Sequence, residues 1–149
     1  MRIEMDQSGK IENTNRNTII GFSNGISKSI IISGNDKKKL QELFREAGRH
    51  RVFVYKTFAI LIFILIKDYL NKLDEIIIDE EYPGKFNLIR SYLFSEIEKI
   101  DPDFPKENVV CARIGKKSKA HYVAYGTAIG KRKADKVVKF KDILKFIVK

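Results

Sequence analysis

Two short apolar segments of this chain each end in an aspartate. Residues 2–5, Arg-Ile-Glu-Met, run into Asp6, and Gln7–Ser8–Gly9–Lys10 follow. Residues 75–78, Glu-Ile-Ile-Ile, run into Asp79, and Glu80 and Glu81 follow. A carboxylate at the edge of a buried strand is destabilising unless positive charge meets it. Mg2+ or Mn2+ is a natural candidate, because such ions are held by one or two carboxylates together with water and substrate phosphate. Asp is also common where any strand gives way to a turn. The chemistry therefore depends on whether the fold brings the two ends together.

The elements that must do so can be read from the pattern. Residues 18–22 and 29–33 are apolar runs bounded by Asn, Gly and Ser, which predicts a meander with the first strand. Ser23–Asn24–Gly25 reads as the hairpin between them. Asp36 is placed to cap a short helix over 37–47, stopped by Gly48. Residues 57–66 hold ten uncharged side chains between Lys56 and Lys67. A membrane span needs roughly 20 apolar residues, so the run predicts a helix buried on most sides against a sheet. A strand over 75–79 ends before Pro83–Gly84. Phe86, Ile89, Leu93, Ile97 and Ile100 recur at helical spacing over 85–100. A strand over 108–114 follows, then a helix over 119–130 capped by Ser118, with Ala120, Ala124 and Ala128 as a small-residue face. An amphipathic helix or strand over 139–148 closes the chain. The absence of repeats, low-complexity segments and linkers points to one domain over 1–149.

Three meander strands followed by helix–strand alternation give an α/β fold: a mixed five-stranded sheet, with right-handed crossovers and helices on its faces. That order, with Met5–Asp6–Gln7–Ser8–Gly9 on the first strand and Ile77–Ile78–Asp79–Glu80–Glu81 on the fourth, resembles the RNase H-like nuclease superfamily. The superfamily includes ribonucleases H and Holliday-junction resolvases. The resemblance implies that the first and fourth strands are neighbours and that Asp6 and Asp79 share Mg2+ or Mn2+. It implies a further ligand from the last helix, for which His121 is the match and Asp135 the alternative. One departure is plain. Ribonucleases H place a Glu on the first long helix, and no acid lies between Arg51 and Lys67 here. Glu80 is expected as a further metal ligand in compensation, with Glu81 as the other acid available. The implied activity is metal-dependent hydrolysis of phosphodiester bonds in structured or hybrid nucleic acid, through in-line attack at a phosphate held by two ions. A catalytically inactive nucleic-acid-binding module of the same fold is the alternative. Resolvase-like members are commonly dimers, so the resemblance admits a homodimer.

Charge supports a polyanionic partner. The chain carries +10 overall. Residues 113–149 hold twelve Lys or Arg against Asp135 and Asp142, and residues 1–112 hold seventeen of each sign. A basic end beside a neutral body fits nucleic acid, DNA or RNA, since phosphate contacts give sequence-independent affinity. Lys116, Lys117 and Lys119 flank His121 and read as phosphate contacts, with Lys131, Arg132 and Lys133 as a second basic group. A solvated Lys-rich surface is the plainer reading of the same run. Cys111 is the one cysteine, which excludes an intramolecular disulfide and fits a reducing cytoplasm. In the run 109–112 it reads as a small buried hydrophobe. No apolar secretory segment follows Met1, so a cytoplasmic location is expected. There is no glycine-rich phosphate loop, no Cys/His zinc spacing and no Ser/His/Asp signature.

Overall fold

The computed structural model describes residues 1–115 and 118–147. Lys116 and Lys117, two of the expected phosphate contacts, lie outside the described residues, as do Val148 and Lys149. Strands β1 (Arg2–Ser8), β2 (Thr18–Asn24) and β3 (Ile26–Ile32) form an antiparallel meander. The turn between β2 and β3 is tighter than the sequence predicts. Asn24 already pairs with Ile26, and Gly25 alone makes the reversal at φ +83°, a conformation open to a residue without Cβ.

Helix α1 (Gly34–Glu46) and the long helix α2 (Phe53–Ile66) follow, then β4 (Glu75–Asp79), α3 (Phe86–Ile97), β5 (Val109–Ala112), α4 (Lys119–Ala128), β6 (Lys136–Val138) and α5 (Phe140–Ile147). The α1 cap is Ser33, not Asp36. The Ser33 side chain accepts from the Asp36 backbone N–H and donates to the Asp36 carboxylate, a reciprocal arrangement at the helix start. The sheet order is β5-β4-β1-β2-β3-β6, with only β2 running against the rest. The sheet therefore has six strands where five are expected from sequence. The sixth, β6, adds three residues parallel to Ile30–Ile32 at the edge of β3.

The two faces of the sheet are covered unequally. On β2, Phe22 turns to one side and meets Tyr69 edge-on, with ring centroids 5.6 Å apart. Its neighbour Gly21 turns to the other side and meets Val123 and Ala124 of α4. The first face carries the main core, where α2 packs with α1, α3 and α5. Every residue of α2 from Thr57 to Ile66 is buried, which explains a run with no polar stripe. Removing one of its Ile or Leu side chains to Ala costs roughly 2–5 kcal/mol in such a setting. Among the described residues no helix is long and apolar enough to cross a membrane.

Among the described residues α4 covers the second face, lying over β1, β2 and β3. Ala120 and Ala124 supply the small contact face that the sequence predicts, but Ala128 is exposed and Val123 and Thr127 complete the buried side. Gly21 is what lets α4 come close. A Cβ there would stand 2.8 Å from Val123 Cγ1 and 3.1 Å from the Ala124 backbone nitrogen. Gly21 is also the cross-strand partner of Asp6, so this close approach fixes how near α4 lies to the end of β1.

Candidate metal centre

Strands β1 and β4 lie side by side and parallel, with Met5 opposite Ile78. Their carboxyl ends therefore fall together. The chain leaves β1 toward β2 on one side, and its crossover from β4 leads to β5 on the other. Ligands of open α/β sheets bind in the crevice that forms at such a divergence. Here it is a cleft of about 510 Å³ lined by Asp6, Asp79, Glu80, Glu81, Arg113 and His121, with Gln7, Pro83 and Gly115.

Asp6 and Asp79 converge as expected, and Glu81 joins them. One carboxylate oxygen from each of the three lies within 4.8 Å of the others. Glu80, expected as a metal ligand, lines the cleft but is not in the triad, where Glu81 stands instead. The Glu80 carboxylate lies 3.8 Å from Arg113. Asp6 is 7% exposed. Burial pushes its carboxyl above the ordinary range, opposed by the Gln7 backbone N–H at 2.8 Å and by His121. Burial likewise pushes Glu81 up to about 7, although Lys10 Nζ bonds its carboxylate at 2.9 Å and its backbone carbonyl at 2.8 Å. The fold has gathered three acids and desolvated two of them.

His121 reaches this centre from α4. Its Nδ1 is 3.0 Å from Asp6 Oδ2. Among the described residues its hydrogen bond is to the Asp6 carboxylate, so its observed role is to hold that group. Ser118 sets the helix start. It accepts from the Ala120 backbone N–H and donates to Glu4 at 3.2 Å. Glu4 and Asp6 are two residues apart on β1 and so face the same side. The first turn of α4 is thus pinned to β1 at two points. On the opposite flank, Asp79 Oδ1 accepts from the Ile114 backbone N–H at 2.8 Å, which ties the segment after β5 to the cleft.

Several contributors escaped the sequence reading. Lys10 neutralises Glu81. Tyr82 OH accepts from Gln7 Nε2 at 3.0 Å and from the Ile11 backbone N–H at 3.1 Å, fixing the turn after β1. The signal for both was adjacency: Lys10 trails Asp6 by four positions and Tyr82 ends the acidic run, so parallel strand ends bring them face to face. Helix α2 carries no acid; its Phe58 lines a small pocket together with Asp79 and Glu81 and packs edge-on to Tyr82 at 5.4 Å. Lys56 lies over the Tyr92 ring at 5.5 Å.

The remaining predicted residues are placed as follows. Lys119 is exposed on the first turn of α4, and Lys131 and Lys133 are exposed beyond its end. Arg132 is partly buried, donating to the Ser27 carbonyl at 3.1 Å and lying 3.8 Å from Asp135. Asp135 itself accepts from the Ser29 backbone N–H at 2.8 Å and is not part of the acidic triad. Cys111 is half-buried rather than buried, and desolvation raises its thiol.

No protein-family model matches this chain, and no curated protein and no solved structure matches it.

Proposed function

We propose that this protein is a divalent-cation-dependent phosphodiester hydrolase of the RNase H-like type, acting on nucleic acid. The observation that carries the reading is the convergence of Asp6, Asp79 and Glu81 within 4.8 Å at the carboxyl ends of two parallel strands. The donor set suits Mg2+ or Mn2+, since all three groups offer hard oxygen ligands. Gln7 Oε1 adds to the fit: Gln7 stands on the cleft wall, and this oxygen is buried with no hydrogen-bond partner. When bound, such a cation supplies Lewis acidity toward a phosphoryl oxygen and offsets the repulsion between the acids and a phosphate.

The chain's own residues do the rest. Asp6, Asp79 and Glu81 form the anionic pole that would hold the cation. His121, donating from Nδ1, keeps Asp6 oriented and favours its ionised form. Lys119, Lys131 and Lys133 supply positive charge for the phosphate backbone.

The test is cleavage with Mg2+ or Mn2+ of hybrid, single-stranded, duplex and four-way-junction substrates. Asp6→Asn and Asp79→Asn are each expected to abolish cleavage while leaving binding intact or slightly tighter, because each removes a ligand and a charge that repels phosphate. A purified protein that binds these substrates and cuts none of them refutes the catalytic reading. It leaves a binding module of the same fold, which the apolar Phe58 beside the triad favours as the second reading.

A further inference from the structure

Helix α4 carries a stripe that the core does not use. Ala120, Val123, Ala124 and Thr127 are buried against the sheet. Tyr122, Tyr125 and Ile129 stand outward, exposed by 63%, 48% and 46%. Their spacing places them on one face of the helix. They are three of the five large apolar side chains exposed among the described residues, so the clustering calls for a cause. The stripe begins at the metal centre. The His121 ring is parallel to Tyr125 within 7°, with centroids 5.8 Å apart, and edge-on to Tyr122 at 5.9 Å. His121 in turn bonds Asp6. Exposed lysines flank the stripe at both ends, Lys119 before it and Lys131 and Lys133 after it.

We infer that this stripe is a stacking platform for the unpaired bases of a single-stranded nucleic acid, which it leads toward the acidic triad. The inference rests on the proposed function in taking nucleic acid as the polyanion. From Tyr122 to Ile129, the residue that caps α4, the chain rises ~10 Å, the length of ~3 nucleotides at 3.4 Å each. Aromatic faces interleaved with cations are the recurring chemistry of single-strand binding, because every base offers a π face and every linkage a phosphate. A duplex hides its base faces and could use the lysines alone. A second copy of this chain fits less well, since each copy carries +10 and would set like charges against each other. The strand supplies negative charge opposite the flanking lysines and flat base faces to meet the exposed rings.

The experiment measures binding of the full chain in EDTA, so that it does not depend on a cation at the triad. Labelled oligo-dT and oligo-rU of equal length distinguish DNA from RNA, and a duplex of that length serves as the reference. The Tyr122→Ala/Tyr125→Ala variant is expected to bind single strands about 10-fold or more weakly, with duplex binding little changed. The Tyr122→Phe/Tyr125→Phe variant should restore single-strand affinity, since it keeps both rings. The chain has no Trp, so its intrinsic emission is that of tyrosine and should be quenched as bases stack. Single-strand affinity within about twofold of wild type in the alanine variant, or failure of the phenylalanine variant to rescue it, overturns the inference. Sedimentation that shows the alanine variant dissociating a dimer with strand binding unchanged also overturns it, in favour of a second copy on the stripe. Tyrosine-dependent binding without any cleavage leaves the inference standing and refutes the hydrolase reading. Cleavage by a protein whose strand binding ignores both tyrosines does the reverse.

Discussion

Replacing Glu81 by Gln should make the metal-free protein clearly more stable at pH 8 and only slightly more stable at pH 5. Burial raises the Glu81 carboxyl from 4.5 to about 7. At ~1.4 kcal/mol per pH unit, ionising it within the fold costs about 3 kcal/mol relative to the unfolded chain. The sign follows from proton counting. Between these two values the native state holds a proton that the unfolded state has released, so stability is full below pH 4.5 and is lost as pH rises through 7. Gln is neutral throughout and escapes that loss. The ionic part of the Lys10 contact, which Gln gives up, is already contained in the value of about 7, because Lys10 holds the carboxyl down against the burial that raises it. The net gain at pH 8 is therefore about 3 kcal/mol, or roughly 6–12 °C in Tm for a chain of this size. Thermal unfolding followed by circular dichroism in EDTA at pH 5, 6, 7 and 8 should show the two curves diverging as pH rises. Adding Mn2+ should then raise the Tm of the wild type at pH 8 and raise that of the variant far less, since the variant lacks one of the three proposed ligands. A Tm difference that is the same at pH 5 and pH 8 would refute the reasoning, because it would mean that Glu81 carries no strained charge.

Three further outcomes follow from other parts of the fold. Gly21→Ala should destabilise by about 1–3 kcal/mol in urea unfolding and weaken the Mn2+-induced Tm rise, because the added Cβ pushes α4 away from β2 and draws His121 off Asp6; an unchanged Mn2+ response would show that the helix position does not matter to the centre. Lys37 is fully buried, with Nζ bonded to the Lys10 and Asn13 carbonyls and to Thr18 Oγ1, so Lys37→Met should leave those acceptors unmet, cost about 2–4 kcal/mol and hasten proteolysis between residues 9 and 17. Changing Lys119, Lys131 or Lys133 singly to Ala should each lower the slope of log affinity against log salt by ~0.7 on single strands, and slopes that do not move would place the phosphate contacts elsewhere.

The convergence of Asp6 and Asp79 was expected from the resemblance, which sets the first and fourth strands side by side, and from two acids that each follow an apolar run. Asp79 does end β4, whereas β1 continues two residues past Asp6 to Ser8. Choosing between Glu80 and Glu81 needed more. Beyond the end of β4 the strict alternation of a strand no longer holds, and partners from elsewhere decide: Lys10 draws Glu81 inward, while Arg113 faces Glu80. The sixth strand was hidden for a related reason. Lys136 and Val137 are exposed and only Val138 is buried, so β6 carries no apolar alternation of its own and exists because β3 offers a free edge. The α1 cap was misassigned because Ser33 and Asp36 are both capping types three residues apart, and each bonds the other.

Gly21 shows the same limit from another side. In sequence it is one glycine inside an apolar run, where it reads as a weak point in a strand. In the fold it lies opposite Asp6 and under Val123, and its missing side chain sets the height of α4 above the sheet. That height decides whether His121, with Tyr122 and Tyr125 against its ring, reaches Asp6. The chemistry-bearing residues announce themselves by type, whereas the residue that brings them together does so by lacking a side chain. No pattern within β2 marks it, since the requirement comes from a helix about a hundred residues later in the chain.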